Sequence, residues 1–311
     1  MKFKNRKYNA ERKYMDQIEK LDFDRELAIE TMYNESYNRM QQKIDGYYVR
    51  YANANGLSLG DAKKKASAMD IRDFEALAKK AVDNKDLSEE TSDWLKTYNL
   101  NMRVNRMELL KLDLELEIRQ LHDKEFSLMD KARHDTLRAE YERQAGILGN
   151  SVTSTSERID AILDSDFYGK GFSERVWGRS GLFDTHIEEV FKSLSRINTD
   201  MDGYKKERDH LMKLYNIKKY EAQRLLSTES SRIRTSVGQT MLEENEFTHY
   251  VFVTEPGACK ICKPMDGKLI ELKRMEMGGN VAPLHPFCRC SFYGVIEMKR
   301  KDGGSNLDEY R

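Results

Sequence analysis

Proline, cysteine and tryptophan are all scarce in this chain of 311 residues, with four, four and two copies. Residues 1–45 and 61–145 contain neither glycine nor proline. Breaker-free stretches of that length argue against a fold of short strands and tight turns, and for long helices. No run of about 18 apolar residues occurs, so no membrane-spanning helix is expected. The N-terminus has no apolar core behind its lysines, so no secretory signal is expected either. Net charge is missing as well: 53 Lys plus Arg balance 53 Asp plus Glu. The chain-wide charge therefore gives no argument for nucleic acid. A common catalytic signature, the Gly-rich phosphate loop, is also absent.

What the sequence does contain is charge in equal measure and an apolar fraction to match. Charged residues make up 34% and hydrophobic ones 39%, which suits long helices with much exposed surface. Along residues 1–51, Tyr14, Ile18, Leu21, Ala28, Met32, Met40, Ile44 and Tyr51 recur in steps of three and four or their sums. That spacing predicts one amphipathic helix, which must project or pack in a bundle. Further helix starts are read at Ser58, Asp70 and Ser88, residues that cap helices well. "LKLDLELEI", from Leu110 to Ile118, alternates like a strand. Yet Met107, Leu110, Leu114, Ile118, Leu121, Leu128 and Ala132 keep a three-four rhythm, and Leu, Glu and Lys are helix formers. A helix is expected there.

"GILGNSVTSTSER" is the clearest boundary, with Ser156 as the cap of the next helix. Beyond it come shorter helices with glycine breaks. Then "HYVFVT", "GKLIEL" and "CSFYGVI" read as strands of a small antiparallel sheet, with "MDGK" as a hairpin turn. The fold class is thus α+β. An extended helical region at 1–148 precedes a C-terminal α+β domain at 157–296, and 297–311 form a flexible tail. The basic arm of Lys2, Lys4, Arg6 and Lys7 reads as a solvated terminus or as a weak, salt-sensitive contact to double-stranded DNA.

All four cysteines and all four prolines fall between Pro256 and Cys290. Cys259-x2-Cys262 is followed by Cys288-x-Cys290, with His285 three residues before Cys288. Two thiolates on a tight knuckle and a second pair on a neighbouring turn can complete a tetrahedron around zinc. Five side chains then compete for four places. A redox pair at "CKIC" is a second reading, although no βαβ pattern surrounds it. Thiols without metal, free or disulfide-bonded, are a third. Arg289, between two cysteines, needs a carboxylate partner or solvent.

Four segments resemble the head-morphogenesis, or minor head, proteins of tailed bacteriophages, the Mu F-like group: "FSERVW", "LLSTESSRIRTSVGQ", "CKICKPMDGKLI" and "PLHPFCRCSF". The last two, in this order and spacing, are the specific ones. Where the family has Arg-Thr-Glu, this chain has Ser227, Thr228 and Glu229. The resemblance implies a non-enzymatic assembly role. The partners would be a portal protein and capsid or scaffold proteins, and the place would be the virion interior near the portal, after assembly in the host cytoplasm. It also implies a part in genome packaging or delivery.

Rival functions are an ADP-ribosyltransferase, suggested by Glu244-x-Glu246, a thiol-disulfide oxidoreductase, and a zinc-ribbon, coiled-coil binder of nucleic acid. Trp177 reads as a core aromatic or a partner anchor. Of the six histidines only His285 has metal-ligand company in the sequence.

Overall fold

A computed structural model describes residues 5–52, 106–149, 156–167, 169–199, 204–299 and 304–307. The helix starts read at Ser58, Asp70 and Ser88, and the arm residues Lys2 and Lys4, lie outside the described residues. Six helices are described: α1 (Arg6–Ala52), α2 (Arg106–Leu148), α3 (Ser156–Asp164), α4 (Phe172–Trp177), α5 (Leu182–Thr199) and α6 (Tyr204–Glu244). Three strands follow: β1 (His249–Val253), β2 (Leu269–Glu271) and β3 (Ser291–Val295). The long N-terminal helix, the helical reading of "LKLDLELEI" and all three strands agree with the sequence pattern.

The chain separates into two units. One comprises Met1–Glu30, Glu125–Val176 and Lys219–Arg311; the other comprises Thr31–Lys124 and Trp177–Lys218. Grouping follows contacts and not chain order, so the start of α1 belongs with the C-terminal sheet.

In the first unit the sheet is antiparallel with β1 at its centre, in the order β2-β1-β3. Val251 pairs with Leu269 on one side and Tyr293 on the other, and Tyr250 pairs with Ile270 and Gly294. Both faces are covered. Val251, Val253, Tyr293 and Val295 pack with Tyr8 and Met15 of α1. On the other face Tyr250 and Phe292 pack with Leu242 of α6, Leu272 and Val281. Two covered faces explain why β1 is a continuous apolar run and does not alternate. Gly294 marks the closest approach on that face. A Cβ there would lie 2.3 Å from Leu242 Cδ2 and 2.4 Å from Phe247 Cδ1, so no larger residue fits without moving the end of α6.

"MDGK" is a turn of another kind than the one expected. Asp266 has φ −57° and ψ 123°, Gly267 has φ 74°, and Lys268 N donates to Met265 O at 3.0 Å. Those angles define a type II turn, which needs glycine at its third position. It is the last part of a long loop, 254–268, between β1 and β2, not a two-residue connection. That extra length is what carries the first cysteine pair.

The second unit is helical among its described residues. Its core includes Tyr33, Met40, Ile44, Leu114, Ile118, Leu121, Val190, Leu194, Leu211 and Tyr215. Trp177 is half-buried there, with its ring 5.3 Å from that of Phe183. Two histidines that sequence spacing does not relate meet in this core. His122 Nε2 and His186 Nδ1 lie 3.1 Å apart, both fully buried. Burial, then His122, then Lys218 hold His186 well below the ordinary histidine range. In the unfolded chain it titrates near its usual value of about 6.5. As pH falls below that value, the unfolded chain takes up a proton that the folded one refuses. Stability is therefore full above about pH 6.5 and falls with acidification, at up to about 1.4 kcal/mol per pH unit for this one proton. Urea melts at pH 7 and pH 5 should show this slope, and His186→Gln should flatten it. An unchanged slope in the variant assigns the acid sensitivity to other groups.

Candidate functional site

The site sits where the loop after β1 meets the loop before β3, both in the first unit. Pro256 and Gly257, with Gly257 at φ 76°, turn the chain out of β1. Cys259 O then accepts from Lys263 N at 2.9 Å, and Cys262 O from Met265 N at 2.8 Å. This folds Cys259 and Cys262 onto one knuckle. On the facing loop Cys288 N donates to His285 O at 3.2 Å, closing the "HPFC" turn. Phe287 sits at the apex with φ 61°, a strained value for a bulky residue. Two contacts with α6 hold it there. Phe287 N donates to Thr228 Oγ1 at 3.3 Å, and its ring lies 5.3 Å from that of Tyr220.

The five side chains singled out from the sequence converge. His285 Nε2 is 3.1 Å from Cys259 Sγ and 3.1 Å from Cys262 Sγ. Cys262 Sγ is 3.7 Å from Cys288 Sγ. Two overlapping sets of donors result, Cys259–Cys262–His285 and Cys262–Cys288–Cys290, with Cys262 common to both. Cys262, Cys288 and Cys290 are buried against Phe252 and Ala282, whereas Cys259 is exposed. All four thiols are free.

The donor set fits a tetrahedral metal. Zinc–sulfur bonds of about 2.3 Å at tetrahedral angles put two sulfurs about 3.8 Å apart, close to the Cys262–Cys288 spacing. His285 Nδ1 lies 2.7 Å from the carbonyl oxygen of Pro286 and donates to it. That bond fixes the tautomer and turns the Nε2 lone pair toward the thiols, the usual arrangement of a ligating histidine. The hydrogen bonds divide the thiols into two kinds. The Cys262–Cys288 hydrogen bond favours the Cys288 thiolate and pushes the Cys262 thiol up. Backbone hydrogen bonds from Cys262 and Ile261 lower the Cys259 thiol.

Arg289 finds its carboxylates on α1. Its Nε donates to Asp22 Oδ2 at 2.9 Å, and its Nη2 to Glu26 Oε1 at 3.3 Å. Ser227, at the position of the family's arginine, is buried and donates to the same Asp22 at 3.4 Å. Glu229 is buried between Arg232, at 3.0 Å, and Arg133, at 4.0 Å. The remaining candidates are not gathered into the site. Glu244 and Glu246 are exposed, Glu244 paired with Arg158 and Glu246 in the turn that ends α6. No helix among the described residues is long and apolar enough to cross a membrane.

In the first unit a long helix is packed on a three-stranded sheet, and the loops of that sheet carry a knuckle of thiols and imidazole. Residues 189–293, from within α5 to β3, match the family model described as Phage Mu protein F like protein. This is the phage head-morphogenesis family that the sequence resembles, and the matched stretch contains both cysteine pairs. The N-terminal helices precede it. No curated protein and no solved structure matches the chain.

Proposed function

We propose that this protein is a non-catalytic minor head protein. It would associate with the portal or procapsid inside the head and support genome packaging or delivery. The match over residues 189–293 supports this reading, as does the order of "CKICKPMDGK" and "HPFCRC" within that stretch. In the same reading a structural zinc ion is held by Cys259, Cys262, His285 and Cys288, with Cys290 buried beside them. The metal would brace the two loops against each other and supply folding free energy, as structural zinc does. Contact with double-stranded DNA is weak and sequence-independent in this reading.

Tagged protein from infected cells should co-purify with portal or procapsid. Its deletion should leave heads that package or deliver DNA poorly. Glu244→Gln and Glu246→Gln should leave both properties unchanged. Normal yields of infectious particles without the protein would sink the assembly reading. A loss of function confined to the glutamate variants would favour an enzyme instead.

A further inference from the structure

The two loops that carry the thiols share almost nothing in sequence, yet both are fastened to one helix. On the first loop, Arg12 of α1 donates from Nε to Thr254 O and from Nη2 to Glu255 O, each at 2.9 Å. Tyr8 OH donates to Asp266 at 2.9 Å, and that carboxylate also accepts from Thr254 N at 3.0 Å. These bonds hold the stem of the loop on both sides of Cys259 and Cys262. On the second loop, Asp22 and Glu26 of the same helix grip Arg289, the residue between Cys288 and Cys290. Ser291, next to Cys290, donates to Glu11 at 2.7 Å. Asp22 is 2% exposed and Glu11 is 4% exposed, so the bonds from Arg289 and Ser291 end on buried carboxylates.

We infer that the segment Tyr8–Glu26 of α1 is a splint that positions the two halves of the metal centre. Arg12, Asp22 and Glu26 act as positioning residues for ligands more than two hundred positions away in the chain. The inference rests on the metal reading of the knuckle. Its consequence is reciprocal. If docking of α1 raises metal affinity by some factor, metal must tighten the docking of α1 by the same factor. Residues that orient ligands from outside typically change metal affinity by about 10–100-fold when removed.

The test uses the full chain, with zinc and cobalt(II) as probes. Zinc affinity is measured by competition with a chromophoric chelator, in proteins whose far-ultraviolet circular dichroism matches the wild type. Asp22→Asn with Glu26→Gln, and separately Arg12→Ala, should weaken zinc about 10–100-fold and reduce the cobalt(II) d–d absorption. Asp22→Glu should restore most of the affinity. Lys219→Ala removes a 2.8 Å ion pair between α6 and Glu30 of α1, away from the thiol loops, and should leave affinity unchanged. In the wild type, chelation should raise amide hydrogen exchange across residues 8–26, a measurement that needs no variant to fold. Zinc bound with wild-type affinity in the Asp22 and Arg12 variants overturns the splint, as does exchange that ignores the metal. A wild type that binds no zinc overturns the metal reading, and the splint with it.

Discussion

Cys262→Ser should abolish stoichiometric zinc binding and leave the 254–291 region open to protease, while the helices keep their circular dichroism. Cys262 is the one donor common to both clusters, fully buried and within hydrogen-bond reach of His285 and Cys288. Apparent zinc-binding energies that drive small domains to fold are about 10–16 kcal/mol, so losing a central ligand outweighs any single packing contact here. The ligand set also orders the variants. Cys259→Ser and Cys288→Ser should follow Cys262→Ser closely, and Cys290→Ser should keep its zinc. Elemental analysis of protein purified without chelator decides this, together with limited proteolysis. If Cys290→Ser loses the metal and Cys259→Ser retains it, the second cluster is the true centre. A Cys262→Ser protein that is folded and metal-loaded removes Cys262 from the ligand set, and a folded wild type without metal ends the zinc reading.

Arg232→Ala should cost about 3–5 kcal/mol, the range for removing one partner of a buried ion pair. Arg232 is 1% exposed and Glu229 2% exposed. The guanidinium donates to Glu229 at 3.0 Å and to Ile162 O at 2.8 Å, and also reaches Ser165. It thereby fastens the end of α3 to α6. Arg133 donates to Leu163 O on the same helix end. With Arg232 gone, Glu229 keeps only the longer Arg133 contact, and the Ile162 and Leu163 carbonyls are left with Ser165 and Arg133 as side-chain donors. The urea midpoint reads the loss. Replacing both residues with apolar ones, Glu229→Leu with Arg232→Met, should recover much of it, because the penalty comes from the stranded charge and not from the missing pair. A single-variant loss below about 1 kcal/mol would mean that water reaches the site, as at exposed pairs.

Much of this architecture was legible because it obeys local periodicity. α1, α2 and the three strands follow from breaker-free runs and from apolar, β-branched segments. The five converging side chains were legible because all the cysteines and prolines fall in one short stretch that also holds His285. The face of α1 was harder. An apolar reading takes Leu21 as part of the buried stripe, but Leu21 is 42% exposed and Asp22, beside it, is buried. Glu11 is buried on α1 in the same way. Polar residues enter a core only with partners. Three of the partners here, Arg143, Ser291 and Arg289, lie far along the chain. No local pattern announces such pairing, although Arg289 between two cysteines signalled that a carboxylate or solvent was needed. The His122–His186 contact was hidden for the same reason, since two isolated histidines 64 positions apart carry no spacing signal.

The Asp22–Arg289 bond joins residues 267 positions apart. During translation at about 5–20 residues per second, the ribosome needs on the order of 13–50 s to pass from one to the other. For most of that interval the side of α1 that will meet the sheet, with Tyr8 and Met15, has no sheet to meet. A newborn chain therefore depends on a later-made segment to cover an earlier-made helix. Premature stop codons anywhere before Arg289 should yield sticky, chaperone-bound fragments, not shorter folded proteins.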